Sequence, residues 1–385
     1  MSCPNHFITY PLVYAVKEEY QIFVPVRQDS VMWVECGAQS FYDDNNGVLR
    51  SHVLVHRMVL PMSLLDRERT YTLVWRVVVD RKPYFPVLET ECRCTFSFRP
   101  VPGSGPIHLY HIADVHNRDE PALRAGRFFG DQLDLLVLNG DVPDSSESFE
   151  KFSTIFTLGS DLTRGEIPIV FSRGNHDLRG FVAESMTDYV PSDRGLTYYT
   201  FRLGRIWGMV LDCGEDKSDD HAEYGGTTCF HAFRERETEW IRQVAQKAER
   251  EYEAPGVEYK LVICHMPFAW QNTPPFDIES ELYAEWCRIL RTTVHPDLML
   301  HGHVHDAYVV RPGEERDTLG TPCPYLVGSV PGMGRKGGEG TYTGMGLLLD
   351  GREVQVLFTN EHGEVVGSDR IELAPEPGAD DRREP

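Results

Sequence analysis

The sequence predicts an α/β domain preceded by a smaller all-β domain, and three observations support this division. After residue 106, short apolar strands alternate with longer helical segments, a rhythm that is typical of layered α/β domains. Residues 1–98 instead contain short strand-like runs separated by turn-rich pieces. Between them lies RPVPGSGP, residues 99–106, whose proline and glycine content is typical of a linker between domains.

The N-terminal residues predict a β-sandwich of the fibronectin type III kind over residues 1–98. Its clearest strand is YTLVWRVVV, in which every second residue is apolar. The side chains on this face are Tyr71, Leu73, Trp75, Val77 and Val79.

The α/β domain is predicted to occupy residues 107–373. Its expected strands are IHLYHIA, LDLLVLNGD, IPIVFSRGN, YKLVICH and DLMLHGH, and helices are expected near 120–130 and 146–160 and over 233–253 and 279–293. Several more strands joined by tight turns follow towards the C-terminus. The polar tail, residues 374–385, has a composition typical of disorder.

Composition restricts the class of partner. The chain has 385 residues, of which 41% are hydrophobic, so it can bury a substantial core. Its net charge of −21 argues against a large nucleic-acid surface, which needs a basic face. The same charge would repel an anionic substrate unless bound cations concentrated positive charge at the site.

The compartment is expected to be the cytoplasm. The N-terminal residues lack a basic stretch followed by a long apolar one, and no apolar run approaches the roughly 18 residues that span a bilayer. Nine scattered cysteines form no paired framework, which suits a reducing environment. We therefore expect neither a membrane segment nor a disulfide framework.

Polar residues recur wherever a predicted strand of the α/β domain ends. In open α/β folds the site forms beyond the carboxyl ends of the strands, so these side chains are expected to lie together. Polar residues follow five predicted strands, a repetition that would not be expected if each strand simply ended in an unrelated turn. The residues concerned are Asp114, His116, Gly140, Asp141, Asp144, Asn175, His176, Asp177, His265, His303 and His305.

These residue types indicate metal-dependent hydrolysis. Carboxylate and amide oxygens with imidazole nitrogens suit Mn, Fe, Zn or Ni, and no thiolate stands among them. Seven ligands are too many for one tetrahedral ion and fit two ions that share a carboxylate. Such a pair, about 3.5–4 Å apart, activates hydroxide near neutral pH and neutralises charge on phosphorus during ester hydrolysis.

The order of five motifs resembles the calcineurin-like metallophosphoesterase superfamily. The motifs are DVH at 114–116, GDVPD at 140–144, GNHD at 174–177, HMP at 265–267 and GHVH at 302–305. The resemblance implies a four-layer α/β/β/α fold in which two sheets lie between helices. It also implies one metal held by Asp114, His116 and His305, a second held by Asn175, His265 and His303, and a bridging carboxylate from Asp141.

A β-domain before such a catalytic domain is similar to the layout of purple-acid-phosphatase-like proteins. Their pattern has a tyrosine ligand where this chain has Asp144, so the ferric charge-transfer site of those proteins is not expected. We interpret Asp144, and Asp177 as well, as groups that orient other side chains.

His176 is the one imidazole of the motifs that the two metals do not require. We predict that it donates a proton to the departing alkoxide or steadies the phosphoryl oxygen, with Asp144 or Asp177 fixing its tautomer. The alternative is a structural histidine beside the site. His301 is interpreted as a core histidine, because it lies on the buried side of its strand.

Four further residues are candidates for substrate binding. Arg173 and Arg179 flank the GNHD motif and could hold phosphate oxygens with their planar guanidinium groups, although salt bridges to acidic residues are an equal alternative. The polar insert 215–231 contributes His221 and Tyr224, for which a solvated loop is the alternative.

Three functions remain open. The leading one is a dinuclear metal-dependent phosphatase acting on a small or medium phosphate ester. The second is a nucleotide phosphodiesterase or nuclease, for which the acidic charge disfavours long nucleic acids. The third is a non-catalytic binding protein on the same fold, which would be expected to have lost ligands that this chain retains.

Overall fold

The structure is a computed structural model that describes residues 3–333 and 338–374. Apart from Ala374, the predicted tail at 374–385 lies outside the described residues. Two large sheets dominate the described part of the chain. The larger sheet has ten strands. In spatial order they are β23 (Val365–Glu372), β22 (Glu353–Asn360), β21 (Tyr342–Asp350), β11 (Ile107–Ile112), β12 (Leu135–Asn139), β13 (Pro168–Ser172), β1 (Leu12–Val16), β2 (Glu19–Pro25) and β7 (Val55–Pro61), with β20 (Val330–Pro331) paired to β21.

The second sheet has six strands. In spatial order they are β14 (Tyr199–Leu203), β15 (Ile206–Leu211), β16 (Tyr259–Cys264), β17 (Leu298–His301), β19 (Tyr325–Gly328) and β18 (Ala307–Val310). Strands β15, β16, β17 and β19 run parallel to one another. Strands β11, β12 and β13 are likewise parallel to one another at the centre of the larger sheet.

Apolar side chains divide the fold into four layers. Strand β12 is buried on both faces: Leu135 and Val137 point into the core between the two sheets, while Leu136 and Leu138 face the helices outside. This is the pattern expected of a parallel strand covered on both sides. The predicted four-layer α/β/β/α arrangement is therefore confirmed.

Helices cover the outer face of each sheet. The first outer layer contains α2 (Asp119–Gly126), α3 (Phe149–Phe152) and α4 (Thr154–Thr163), and the second contains α5 (Phe230–Ala245) and α6 (Ser280–Ile289). A further helix, α1 (Met62–Glu68), lies in the N-terminal region. No helix among the described residues is both long and apolar enough to cross a membrane.

The N-terminal region is β-rich, as predicted, but its strands do not form a free-standing sandwich. Strands β1, β2 and β7 continue the larger sheet, with β1 parallel to β13. The remaining strands form one sheet of five and one of two. They are β3 (Ser30–Cys36), β4 (Gln39–Tyr42), β8 (Thr70–Asp80), β9 (Val87–Leu88) and β10 (Cys92–Ser97), and the pair β5 (Asp44–Asn45) and β6 (Val48–Leu49).

One apolar core joins this region to the α/β layers. Met32, Leu73 and Phe96 of the five-stranded sheet belong to the same buried cluster as Leu109 and Val137. A separate sandwich would have had a core of its own. The period-two pattern correctly predicted strands here, but it carries no information about which sheet a strand joins.

A buried polar chain fixes the N-terminal strands to one another. Ser30 Oγ lies 3.0 Å from His56 Nε2, and His56 Nδ1 lies 2.6 Å from Asp43 Oδ2. All three side chains are buried, and Arg50 pairs with Asp43 at 3.5 Å. Because each polar atom has a partner, the chain links β3 and β7 without an unsatisfied group at these contacts.

The predicted linker is packed against the α/β layers. Val101 is buried, and Arg99 Nη1 donates to Asp134 Oδ1 at 2.6 Å. Its backbone nitrogen donates to Glu166 O. Residues 99–106 therefore connect two parts of one core.

Candidate metal centre and active site

The candidate site lies where the carboxyl ends of parallel strands from both sheets meet. Asp114 and His116 follow β11, Asp141 follows β12 and Asn175 follows β13 in the larger sheet. From the second sheet, His265 follows β16, and His303 and His305 follow β17. All seven predicted ligands therefore lie together at the strand ends, as the sequence pattern predicted. Their role as metal ligands stays a prediction.

The backbone leaves these strands in an uncommon conformation. Asp114, His116, Asp141, His303 and His305 have φ values of 53°, 50°, 52°, 68° and 52°. Non-glycine residues rarely occupy this left-handed region, and such strain is concentrated at functional sites. All five residues are candidate ligands that follow the ends of strands.

Close backbone approach explains the glycine of the GNHD motif. A Cβ atom on Gly174 would lie 2.3 Å from the backbone nitrogen of Asp141 and 2.3 Å from Asp141 Oδ1. Both contacts are shorter than real Cβ atoms tolerate. The glycine therefore lets the loop after β13 press against the loop that carries Asp141.

A first group of candidate ligands contains Asp114, His116 and His305. Their donor atoms lie within 4.8 Å of one another. His305 Nε2 is 3.4 Å from Asp114 Oδ1 and 3.1 Å from His116 Nε2. Two imidazole nitrogens and a carboxylate oxygen converge on one point, a donor set suited to a borderline transition metal.

A second group contains Asp141, His265 and His303, with the same 4.8 Å limit. His265 Nε2 lies 3.1 Å from Asp141 Oδ2 and 3.7 Å from Asp114 Oδ1. The Asn175 carboxamide is beside them, with one terminal atom 3.0 Å from His303 Nδ1 and the other 3.0 Å from Arg179 Nη2. The two groups are therefore adjacent.

Asp141 is shared between neighbouring clusters. Besides the second group, it forms a third cluster with His116 and His176. Its Oδ1 accepts a hydrogen bond of 2.8 Å from the backbone nitrogen of His176, while Oδ2 faces His265. A carboxylate in this position can reach both sides of the site.

The carboxylates of the site favour positive charge beside them, as the pKa of His265 shows. Burial works against the charged form of His265, yet the neighbouring Asp141 carboxylate raises its pKa to about 10. Burial lowers the pKa of His303 to about 4. His265 Nε2 is buried without a hydrogen bond despite its short contact with Asp141. An orphaned imidazole nitrogen aimed at two carboxylates fits a cation held between them.

Neighbouring groups that sequence reasoning missed orient the candidate ligands. His265 Nδ1 lies 2.7 Å from the backbone oxygen of Asn139, which leaves Nε2 to face the site. The Asn139 side chain donates to the Leu300 carbonyl of the second sheet at 3.0 Å. Ser329 Oγ donates to Asp114 Oδ2. The position of Asn139 at the end of β12 was the available sequence signal.

His176 is half-buried and lies at the edge of the clusters. Its Nδ1 is 2.8 Å from the backbone oxygen of Asp144, so the Asp144 carbonyl, rather than the carboxylate, is the group that can fix its tautomer. The Asp144 carboxylate instead lies 3.5 Å from His116 Nδ1. Nε2 of His176 faces Arg179 Nη1 at 3.2 Å.

Asp177 supports the loop rather than the His176 ring. Its Oδ2 accepts a 2.6 Å hydrogen bond from the backbone nitrogen of Gly174, and the side chain is fully buried. Burial, reinforced by the charge of Asp141, raises the pKa of this carboxyl to about 8. The predicted orienting contact from Asp177 to His176 is replaced by this turn.

Arg179 is the predicted substrate-binding residue that the structure places at the site. It lines a cavity of about 560 Å³ together with His176, Asp216, Lys217 and Phe276. Its guanidinium pairs with Glu215 through two 3.0 Å hydrogen bonds. Lys217, Phe276 and Asp216 were not predicted, because nothing in their local sequence distinguishes them from a solvated loop.

The other three predicted substrate contacts lie elsewhere. Arg173 Nη2 pairs with buried Asp212 at 2.7 Å, the salt-bridge alternative considered for it. Tyr224 is buried and donates to Asp216 Oδ1 at 3.0 Å, so it stands behind the cavity wall. Arg173, His221 and Tyr224 are not among the described residues that line the cavity. Direct contact with a substrate stays a prediction for all three.

Comparisons with solved structures agree with this fold. A purple acid phosphatase, PPD1, from yellow lupin (Lupinus luteus) seeds superposes with a TM-score of 0.59 at 12% identity, covering 94% of this chain and 74% of that one. The structure of PhoD gives a TM-score of 0.54 at 10% identity, covering 96% and 90% of the two chains. At these identities the likeness shows the fold alone.

No curated protein sequence matches the chain. A family model, described as calcineurin-like phosphoesterase, matches residues 107–307 and so includes every motif from DVH to GHVH. The match spans more than half of the 385 residues, and the chain therefore belongs to the calcineurin-like phosphoesterase family.

Proposed function

We propose that this chain is a hydrolase that cleaves a phosphate ester at a centre of two metal ions. The observation that carries the proposal is the position of Asp141, whose carboxylate lies within 4.8 Å of His116 in the first group and of His265 and His303 in the second. A single-ion site needs no shared carboxylate. The complete ligand set also argues against a non-catalytic binding protein on this fold.

The side chains divide naturally between two ions. Asp114, His116 and His305 would hold one, and Asn175, His265 and His303 would hold the other, with Asp141 reaching both. The mixture of oxygen and imidazole donors suits Mn, Fe, Zn or Ni. When bound, such a pair supplies activation of the nucleophile and neutralisation of charge for hydrolysis at phosphorus.

His176 is suited to handle the proton of the leaving group. With Nδ1–H donated to the Asp144 carbonyl, the nitrogen left for the substrate is Nε2. In its contact with Arg179 Nη1, Nε2 can only accept, because a guanidinium has no acceptor. When Nε2 instead carries a proton and faces the substrate, the ring can donate to the departing alkoxide oxygen. Arg179 lies beside the same nitrogen and can steady a phosphoryl oxygen while the proton moves.

The cavity favours a small or medium substrate. Its volume of about 560 Å³ accommodates a metabolite-sized ester, and Phe276, Val304 and Met333 give one wall an apolar surface. A phosphatase acting on such an ester is the leading form of the proposal. The test is a metal-reconstituted assay of the full chain against paired monoesters and diesters that release the same alcohol. No hydrolysis of either series with both metals bound would contradict it.

A phosphodiesterase is the second candidate, and the charges of the wall favour it. Arg179 pairs with Glu215 and lies 3.5 Å from Glu223, while Lys217 pairs with Asp216 at 2.9 Å and with Glu223 at 3.1 Å. Both cations are thus already matched by acids. Beyond the metals, little positive charge remains for the second negative charge of a monoester, whereas a diester carries one.

Substitution of Glu223 separates the two candidates. Glu223→Gln removes the acid common to Arg179 and Lys217, and for a partly exposed pair the effect is about 0.2–1 kcal/mol. The ratio of kcat/KM for monoester over diester should then rise by roughly 1.4–5-fold. Glu239→Gln, an exposed acid on α5 that pairs with Arg242, is the control and should leave the ratio unchanged. An unchanged ratio in Glu223→Gln would remove the charge argument for a diesterase.

A further inference from the structure

A second cavity lies at the junction between the N-terminal strands and the second sheet. Its volume is about 770 Å³, larger than the active-site cavity, and the two share no lining residue among those described. The turn between β1 and β2 meets edge strand β14 here. Lys17 N donates to Thr200 O at 2.6 Å, and Arg202 N donates to Lys17 O at 2.9 Å. We call it the junction cavity.

The junction cavity gathers positive charge in an acidic protein. Four acidic residues line it, against six basic ones. The whole chain has 59 Asp and Glu residues against 38 Lys and Arg residues. An excess of basic residues around one cavity is therefore unusual for this protein. The basic residues are Lys17, Arg57, Arg194, Arg202, Lys247 and Arg250.

Two of these cations are partly buried without a carboxylate partner. Arg57 Nη1 donates to the backbone oxygen of Thr187 at 3.0 Å, and Arg202 donates to Gly204 O at 2.7 Å and Pro255 O at 2.9 Å. Within the described ranges, neither guanidinium has an acid within 4 Å. Burial lowers the pKa of both groups, and the charge of Arg50 lowers that of Arg57 further. The carboxylates of Asp188 and Asp43 act on Arg57, and that of Glu18 acts on Arg202, only from beyond ion-pair distance. Both guanidinium groups are therefore partly desolvated without a direct anion partner, which is an unfavourable arrangement.

The exposed cations at the rim of the cavity also lack a carboxylate partner among the described residues. Arg194, Lys247 and Arg250 form no ion pair with any acid in the part of the chain that the structure describes. Two of the four lining acids already have other partners: Asp193 pairs with Lys17 at 2.5 Å, and Glu251 accepts from Trp207 Nε1 at 3.0 Å. The other two, Glu18 and Glu19, form no ion pair among the described residues. Five of the six cations therefore lack a carboxylate partner.

We propose that the junction cavity binds a small polyanion that carries two or more phosphate or carboxylate groups. Arginine forks match the oxygens of either group, and three rim cations together with two partly buried ones can neutralise more than one negative charge. The bound anion would contact the β1–β2 turn, the 192–195 loop, β14 and the end of α5 at once. It would thereby hold the N-terminal strands to the second sheet.

The test is calorimetric titration of the metal-loaded full chain with two probes, tripolyphosphate and tricarballylate, at constant ionic strength and with the loading metal kept in the buffer. We expect saturable binding of one anion per chain and a higher Tm at saturation. The probe that binds more tightly identifies phosphate or carboxylate as the source. Absence of saturable binding to both probes would overturn the proposal.

Three variants distinguish this cavity from other positive surfaces. Arg194→Glu with Arg250→Glu changes two exposed rim residues and should weaken binding at least tenfold. Arg288→Glu with Arg370→Glu makes the same change of net charge at exposed residues of α6 and β23, and should weaken it less than twofold. Equal weakening in both pairs would show non-specific attraction and refute the proposal. Asp141→Asn should bind as the wild type does; loss of binding there would place the anion at the metal centre instead.

Discussion

Replacement of His176 with asparagine should slow hydrolysis while leaving the metal ligands and the fold in place. The ring contributes two contacts, to the Asp144 carbonyl at 2.8 Å and to Arg179 at 3.2 Å, and it is only half-buried. Loss of one such hydrogen bond costs about 0.5–1.5 kcal/mol of stability. A positioned acid contributes about 10²–10⁴-fold in rate, equivalent to roughly 3–5 kcal/mol in the transition state. The rate effect should therefore exceed the stability effect severalfold.

The assay compares esters that differ in the basicity of their leaving group. An alkyl phosphate needs a proton as it departs, so His176→Asn should lose the most activity on it. An aryl phosphate with an acidic phenol leaves with little help and should lose much less. Metal content is measured in parallel by elemental analysis and should match the wild type. An equal, small deficit on both esters with unchanged metal would refute the proton-donor role and return His176 to a structural one.

Three further outcomes follow from the same structure. Gly174→Ala should abolish metal binding and activity together, because its Cβ would lie 2.3 Å from the Asp141 backbone nitrogen; full metal occupancy by elemental analysis would contradict this. Asp43→Asn should lower the free energy of unfolding by about 1.5–3 kcal/mol in denaturant titrations, since the buried His56 loses a charged partner at 2.6 Å, yet metal content should not change. Burial lowers the pKa of His301 to about 3 in the folded chain, whereas the pKa of an unfolded histidine is about 6.5. Between these two values the unfolded chain binds a proton at this residue and the folded chain does not. Stability from this group is complete above about pH 6.5 and falls towards pH 3 by up to about 1.4 kcal/mol per unit; His301→Gln should show a shallower loss over that range, and an identical slope would exclude the contribution.

The positions of the candidate ligands could be predicted because they follow from chain direction and residue type. The carboxyl ends of parallel strands lie at one edge of a sheet. Correct prediction of the strands therefore also predicts that Asp114, Asp141 and His265 lie close together. The core assignment of His301 also follows from period two: the side chain is fully buried, and its Nδ1 lies 2.7 Å from Cys264 O. These features depend on local patterns that the sequence contains.

Features that depend on pairing across the fold could not be predicted in this way. Strand β1 carries the same alternation whether it joins a sandwich or, as here, runs beside β13. Arg173 flanks the motif as closely as Arg179 does, but Asp212, 39 residues away, holds its guanidinium. Asp177 reaches Gly174 N rather than the neighbouring ring because a tight turn brings that donor closer. Choices among competing partners are made by three-dimensional proximity.

In the proposed centre two metal ions share the Asp141 carboxylate, and the number of ions bound per chain tests this arrangement. Elemental analysis of the chain, purified without chelator and reconstituted with Mn, Fe, Zn or Ni, should give two ions per chain for the wild type. Asp141→Asn removes a charge from both positions and should lower the occupancy of both, with turnover falling in parallel. A wild type that never exceeds one ion per chain, or an Asp141→Asn variant that retains two tightly bound ions, would contradict a centre of two ions that share Asp141.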